Sequence, residues 1–125
     1  MASPDPPDAP VRVLTVDDQP TFHDAAHAVI AATPGFEWIG SASCGEEGVE
    51  QTERLLPDLV LMDVRMPGIG GFEAARRISG LGLPAVVVLV TGDLPPASTA
   101  GAPAGVVAKR SLTRSVLKRL WAERR

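Results

Sequence analysis

Asp58-Leu-Val-Leu-Met-Asp63 decides the fold. Four apolar residues in unbroken succession, with no polar alternation, are what a parallel strand covered on both faces requires. The run closes on Asp63, so a carboxylate stands at the strand's carboxyl end. Pro84-Ala-Val-Val-Val-Leu-Val-Thr91 repeats the pattern with β-branched residues and again ends polar. Around these two strands, Leu59–Asp63 and Ala85–Val90, three more are expected. Val11–Val16 runs into Asp17-Asp18, Phe36–Ala42 lies next, and the short Gly105-Val-Val-Ala108 runs into Lys109.

Between the strands the apolar spacing turns helical. Pro20–Ala32 opens on a proline suited to a first turn, carries Phe22, Ala26, Val29 and Ile30 toward a core, and stops at Thr33-Pro-Gly35. Gly45–Leu56 carries Val49, Glu53 and Leu56 and is ended by Pro57, while Gly71–Leu81 carries Phe72, Ala75 and Ile78 and ends at Gly80 and Gly82. Ser111 is the expected N-cap of a last helix with Leu112, Val116, Leu117, Leu120 and Trp121 on one side. Strands alternating with helices, joined by connections too long for hairpins, predict an α/β fold: one doubly wound, five-stranded parallel sheet. Residues 93–104 break the pattern, with three prolines, one glycine and no amphipathic stripe, so the fourth helix of the series is expected to be short, distorted or absent.

A chain of 125 residues, 45% hydrophobic, accommodates a single core and one domain, expected over 11–125. Met1–Pro10 holds four prolines and two aspartates, which predicts an extended, disordered tail and not the apolar core of a secretion signal. A formal charge of −3 gives no electrostatic ground for nucleic-acid binding by this domain. Cys44 is the single cysteine, which excludes an internal disulfide and fits a reducing, cytoplasmic setting. No apolar run reaches membrane-spanning length.

In an open α/β sheet the polar residues at the carboxyl strand ends meet in one crevice. Here they are Asp17, Asp18, Asp63, Thr91 and Lys109. Three carboxylates at short range repel unless a cation joins them, and an all-oxygen donor set suits Mg2+, with Mn2+ a possible substitute, better than zinc or copper. A carboxylate can attack an activated phosphorus to form an acyl phosphate, and such transfer is catalysed mainly by positioning and neutralisation. Asp63 then reads as the nucleophile, with Lys109 and the Thr91 hydroxyl neutralising phosphoryl oxygens.

Val16-Asp17-Asp18, Leu61-Met62-Asp63-Val64-Arg65-Met66-Pro67-Gly68, Val90-Thr91-Gly92 and Lys109 stand in the order and spacing of bacterial two-component receiver domains, which the chain resembles over Val11–Glu123. The resemblance implies a flavodoxin-like sheet of strand order 2-1-3-4-5. It implies that Asp18 and Asp63 ligate Mg2+, that Asp17 acts through bound water, and that the backbone carbonyl of Arg65 completes the ligands. It also implies that a histidine kinase or phosphotransfer protein supplies the phosphoryl group, making the domain a signalling switch and not a turnover enzyme. Asp18-Gln-Pro-Thr-Phe22 and Ile30–Phe36 further resemble receivers joined to helix-turn-helix DNA-binding domains, in transcription regulators.

Three departures from the family gather on its usual output face. Val106 stands where receivers carry a Tyr or Phe that moves with the threonine, Arg110 replaces a proline, and the Thr91–Lys109 interval is short. They open a second reading: a pseudo-receiver that signals through a fixed surface, with a homodimer through 93–121 one form of it. A third, a small aspartyl phosphatase, fits less well because Asp17 and Asp18 are adjacent. Among plainer readings, Asp17-Asp18 could cap a helix, His23 and His27 are expected as exposed helical histidines in place of metal ligands, and Arg110, Arg114 and Lys118 as a solvated face of the last helix. Cys44 is expected to be a spectator, and Trp121 a core-edge aromatic.

Overall fold

The computed structural model describes residues 9–92 and 106–124. Residues 1–8 of the expected Met1–Pro10 tail, the 93–104 segment with the expected fourth helix, Gly105 and Arg125 lie outside the described residues. Five parallel strands, β1 (Val11–Val16), β2 (Phe36–Ala42), β3 (Leu59–Asp63), β4 (Val86–Thr91) and β5 (Val106–Ala108), form one sheet of order β2-β1-β3-β4-β5. Among the described residues the α-helices are α1 (Pro20–Ala31), α2 (Gly45–Leu55), α3 (Gly70–Ser79) and α4 (Arg114–Ala122).

β3 sits at the centre because it is apolar on both faces: Leu59, Val60, Leu61 and Met62 are all wholly buried. Alternate residues feed two cores. Val13, Leu61 and Val90 pack with Phe22, Ala26 and Ile30 of α1 and with Leu117 of α4. Leu14, Val16 and Met62 pack with Ala74, Ala75 and Ile78 of α3. Each large aliphatic side chain so buried contributes about 1.5–3 kcal/mol. Two cores on opposite faces hold β1 and β3 rigidly, and both strands end at the same height, at Asp17 and Asp63.

The β1–β2 ladder carries a bulge, since Val13 pairs with Trp38 and Leu14 with Gly40, leaving Ile39 unmatched. The extra residue turns the second half of β2 over, so that Trp38 packs on the α1 face while Ala42 packs on the α3 face.

Several expected details are corrected. Phe72 is 44% and Leu56 55% exposed, so neither belongs to a core. Helix α3 packs through Gly71, Ala74, Ala75 and Ile78, and Leu56 is a left-handed C-cap at φ 51°. Glu53 is exposed as well, and α2 buries Gly45, Gly48 and Thr52; Gly48 lets it lie close to Val16 and Met62 of the sheet, and Gly45 close to the start of α3. The N-cap of α4 is Thr113, whose hydroxyl accepts from the Val116 N–H at 3.2 Å; Ser111 closes a 3-10 turn over Lys109–Ser111. That turn also takes Arg110 off the helix, although Arg110, Arg114 and Lys118 are all exposed as expected. Cys44 is the N-cap of α2, its sulfur accepting from the Glu47 N–H. Trp121 lies partly buried at the edge of the first core.

Candidate acidic cleft at the carboxyl end of the sheet

β1 delivers Asp17 and Asp18, β3 delivers Asp63, β4 delivers Thr91, and the turn after β5 delivers Lys109. One carboxylate oxygen from each of Asp17, Asp18 and Asp63 lies within 4.8 Å of the others. Lys109 Nζ spans two of them, 2.5 Å from Asp17 Oδ2 and 3.4 Å from Asp63 Oδ1. Asp17 is wholly buried, Asp63 is 5% exposed, and Asp18 faces solvent. Gln19, Asp63, Arg65, Thr91, Gly92 and Lys109 line a cleft of about 170 Å³. All the site residues expected from sequence therefore meet at one end of the sheet except Val106. Val106 is half-buried, pairs with Leu89 and packs against the second core.

The electrostatics follow from burial. Asp63 is pushed up to about 6, first by desolvation and then by the neighbouring Asp17, with the Lys109 charge pulling the other way. Burial works to lower Lys109, yet its bond to Asp17 and the charge of Asp63 outweigh that and hold it above the ordinary lysine value. Asp17 does not cap α1: its Oδ1 accepts from the Gln19 N–H at 2.9 Å, and Gln19, the N-cap, makes no side-chain bond there.

The β3–α3 loop is shaped by glycine. Gly68 and Gly70 take φ of 84° and 75°, and a Cβ on Gly71 would stand 2.1 Å from the Asp63 carbonyl oxygen. Only glycine lets α3 begin against the end of β3, and so sets the loop that carries Arg65.

Three residues at the site escape a sequence reading. Gln19 lines the cleft, and the Phe22 ring lies 5.1 Å from Lys109 Nζ, within cation–π reach. His23, expected to be exposed, is half-buried with both ring nitrogens engaged, to Thr15 Oγ1 at 2.7 Å and to the Asp17 carbonyl oxygen at 2.8 Å. His27 is exposed and stacks on Trp38 at 4.4 Å. An Asp-Gln-Pro-Thr-Phe-His run signals none of this, because the partners come from β1 and β2.

The metal expected from sequence meets a suitable donor set. The donors are all oxygen, three carboxylates with one atom each within 4.8 Å of the others, and among the described residues the one ammonium set among them, Lys109 Nζ, is ion-paired with Asp17 and Asp63 and leaves Asp18 without it.

Comparison with known proteins places this geometry. The model of the response regulator receiver domain matches residues 13–115. Response regulator GacA of Pseudomonas viridiflava is 44% identical over 68 residues, 54% of this chain and 32% of that protein. A protein-glutamate methylesterase/protein-glutamine glutaminase of Geobacter metallireducens is 44% identical over 84 residues, 67% of this chain and 24% of that protein. The chain thus spans a third or less of the length of these relatives. Among solved structures, the signal receiver domain of the response regulator NarL from Mycobacterium tuberculosis superposes with a TM-score of 0.81 at 29% identity, covering 92% of this chain and 99% of that one. The chain belongs to the response regulator receiver domain family of two-component signalling. The flavodoxin-like strand order implied by the resemblance is the order observed. Among the described residues no helix is long and apolar enough to cross a membrane.

Proposed function

We propose that this receiver is a phosphoacceptor switch, with Asp63 the phosphorylated residue and a histidine kinase or phosphotransfer protein the donor. The observation that carries the reading is Lys109 Nζ set between Asp17 and Asp63, with three carboxylates within 4.8 Å. Asp17, Asp18, Asp63 and the Arg65 carbonyl would hold Mg2+, which when bound supplies positive charge to the transferring phosphoryl group. An Asp63 carboxylate oxygen attacks phosphorus as the donor's bond to phosphorus breaks, and the donor's leaving atom keeps that electron pair. Lys109 neutralises one equatorial oxygen and the Thr91 hydroxyl donates to another. The domain acts on itself and is a switch, working in the cytoplasm for a transcription regulator of the helix-turn-helix class.

Val106 favours one alternative, a pseudo-receiver whose surface signals with little dependence on phosphate, because a half-buried valine on a three-residue strand cannot move as an aromatic would. Incubation with Mg2+ and acetyl phosphate, followed by intact mass, tests the proposal. A gain of one phosphoryl group on the parent and none on Asp63→Asn is expected. No gain on the parent would overturn the switch and favour the pseudo-receiver, while sustained phosphate release over many turnovers would favour a phosphatase.

A further inference from the structure

We propose that His23 is a positioning residue for the acidic cleft, the last link of a hydrogen-bond chain from Trp38 through Thr15 that fixes the main chain of Asp17. The inference rests on the reading of Asp17 as a metal-site carboxylate, but its geometric basis is independent of that reading.

A carbonyl oxygen can only accept, so His23 Nε2 carries the proton and donates to Asp17 O at 2.8 Å. Trp38 Nε1–H can only donate, and it donates to Thr15 Oγ1 at 3.1 Å. The Thr15 hydroxyl proton is then directed to His23 Nδ1 at 2.7 Å. Every donor and acceptor is satisfied in one direction, from β2 through β1 into α1 and back to the β1–α1 turn, and bonds so chained polarise one another. Thr15 is wholly buried, so its hydroxyl has no solvent alternative.

Asp17 is thereby held at four points. Its N–H donates to Ala42 O at 3.0 Å, its carbonyl accepts from His23, its Oδ1 accepts from the Gln19 N–H at 2.9 Å, and Oδ2 faces Lys109. Backbone contacts fix the first and third. Among the described residues His23 is the partner of the carbonyl, and so bears on the peptide plane between Asp17 and Asp18. Turning that plane swings both carboxylates. Partners one step behind the ligands of a metal site commonly govern affinity about tenfold or more when removed.

A plain structural role for His23, pinning α1 to β1, would lower stability without changing metal affinity at a given folded fraction. The two are separated by comparing the parent with His23→Leu, which loses both bonds, and His23→Gln, whose amide can donate to Asp17 O and accept from Thr15. In 15N-labelled full chain without metal, hydrogen exchange of the Gln19 amide is expected to quicken about tenfold in His23→Leu relative to core amides such as Leu61, and to return toward the parent in His23→Gln. Titration with Mg2+, followed by Trp38 fluorescence and amide shifts, is expected to give a Kd raised about tenfold in His23→Leu and within about threefold of the parent in His23→Gln. Unchanged Gln19 exchange, or an unchanged Kd in a folded His23→Leu, overturns the inference. A parent that neither binds Mg2+ nor gains phosphate overturns the proposed function, and Gln19 exchange then decides the role of His23 alone. If His23→Leu does not fold, Thr15→Val carries the same measurements, and an unchanged Gln19 exchange rate there counts against the chain.

Discussion

The two ends of the site are built to different depths. Asp17 and Asp63 rise from β1 and β3, neighbours at the centre of the sheet, where the supporting residues are wholly buried and packed from both faces. Lys109 follows β5, an edge strand of three residues with Val106 and Val107 only half-buried. One side of the cleft is therefore as firm as the core, and the other hangs from an edge joined to it by an ion pair. Under the proposed function, the attacking carboxylate stands on the deep side, and Lys109, on the shallow side, is the group through which a change at Asp63 would reach the sheet edge.

The most damaging test of this division removes the tie between the sides. Lys109→Ala leaves the buried Asp17 without its counter-charge, which should cost about 4 kcal/mol of unfolding free energy in chelator. Added Mg2+ should restore much of that, whereas a loss equally large with saturating Mg2+ would mean Lys109 acts by packing. Gly71→Ala attacks the deep side alone: a methyl group driven against the Asp63 carbonyl should cost about 3 kcal/mol by denaturant unfolding and slow phosphorylation along with it.

A smaller effect reports the strain of the deep side directly. Asp63 is raised from its ordinary 3.8 to about 6, so the folded state binds this proton more tightly than the unfolded one. Its contribution is favourable at low pH and is lost as pH rises through the window from about 4 to 6, for about 3 kcal/mol as an upper bound that solvent screening reduces. Asp63→Asn should flatten that part of the metal-free stability curve. Unchanged pH dependence in the variant would place the strain elsewhere. Last, Val106→Tyr restores an aromatic on the shallow side. Stability should stay within about 1 kcal/mol and the phosphorylation rate within about twofold, because the substitution touches a half-buried edge. A large rate change would show that the two sides are not separable.

The same difference in depth explains what the sequence disclosed. β3 and β4 were legible because a strand buried on both faces must be an unbroken apolar run, and Asp17, Asp18, Asp63, Thr91 and Lys109 because polar residues ending such runs have one place to go. Helix faces were read less well where apolar residues sit at helix ends. Phe72 and Leu56 fit a stripe by spacing, but small residues that look featureless in sequence make the close approaches: Gly48 and Gly71 lie against the strands, and Gly45 against the start of α3. Thr113 displaced Ser111 as the cap because Ser111 is itself the last residue of a 3-10 turn. His23 was illegible because its partners, Thr15 and Asp17, take their meaning only once β1 lies beneath α1.

The unmatched Ile39 bears on how the molecule behaves in company. β2 is the longer of the two outermost strands, seven residues against three, and its outer rim of amide and carbonyl groups is a template on which a second chain could hydrogen-bond. The bulge interrupts that rim midway, and Glu37 beside it adds an exposed charge, the two devices by which an edge strand discourages pairing with another chain. Excising Ile39 is therefore expected to straighten the rim and raise the tendency of the chain to self-associate, which light scattering would register.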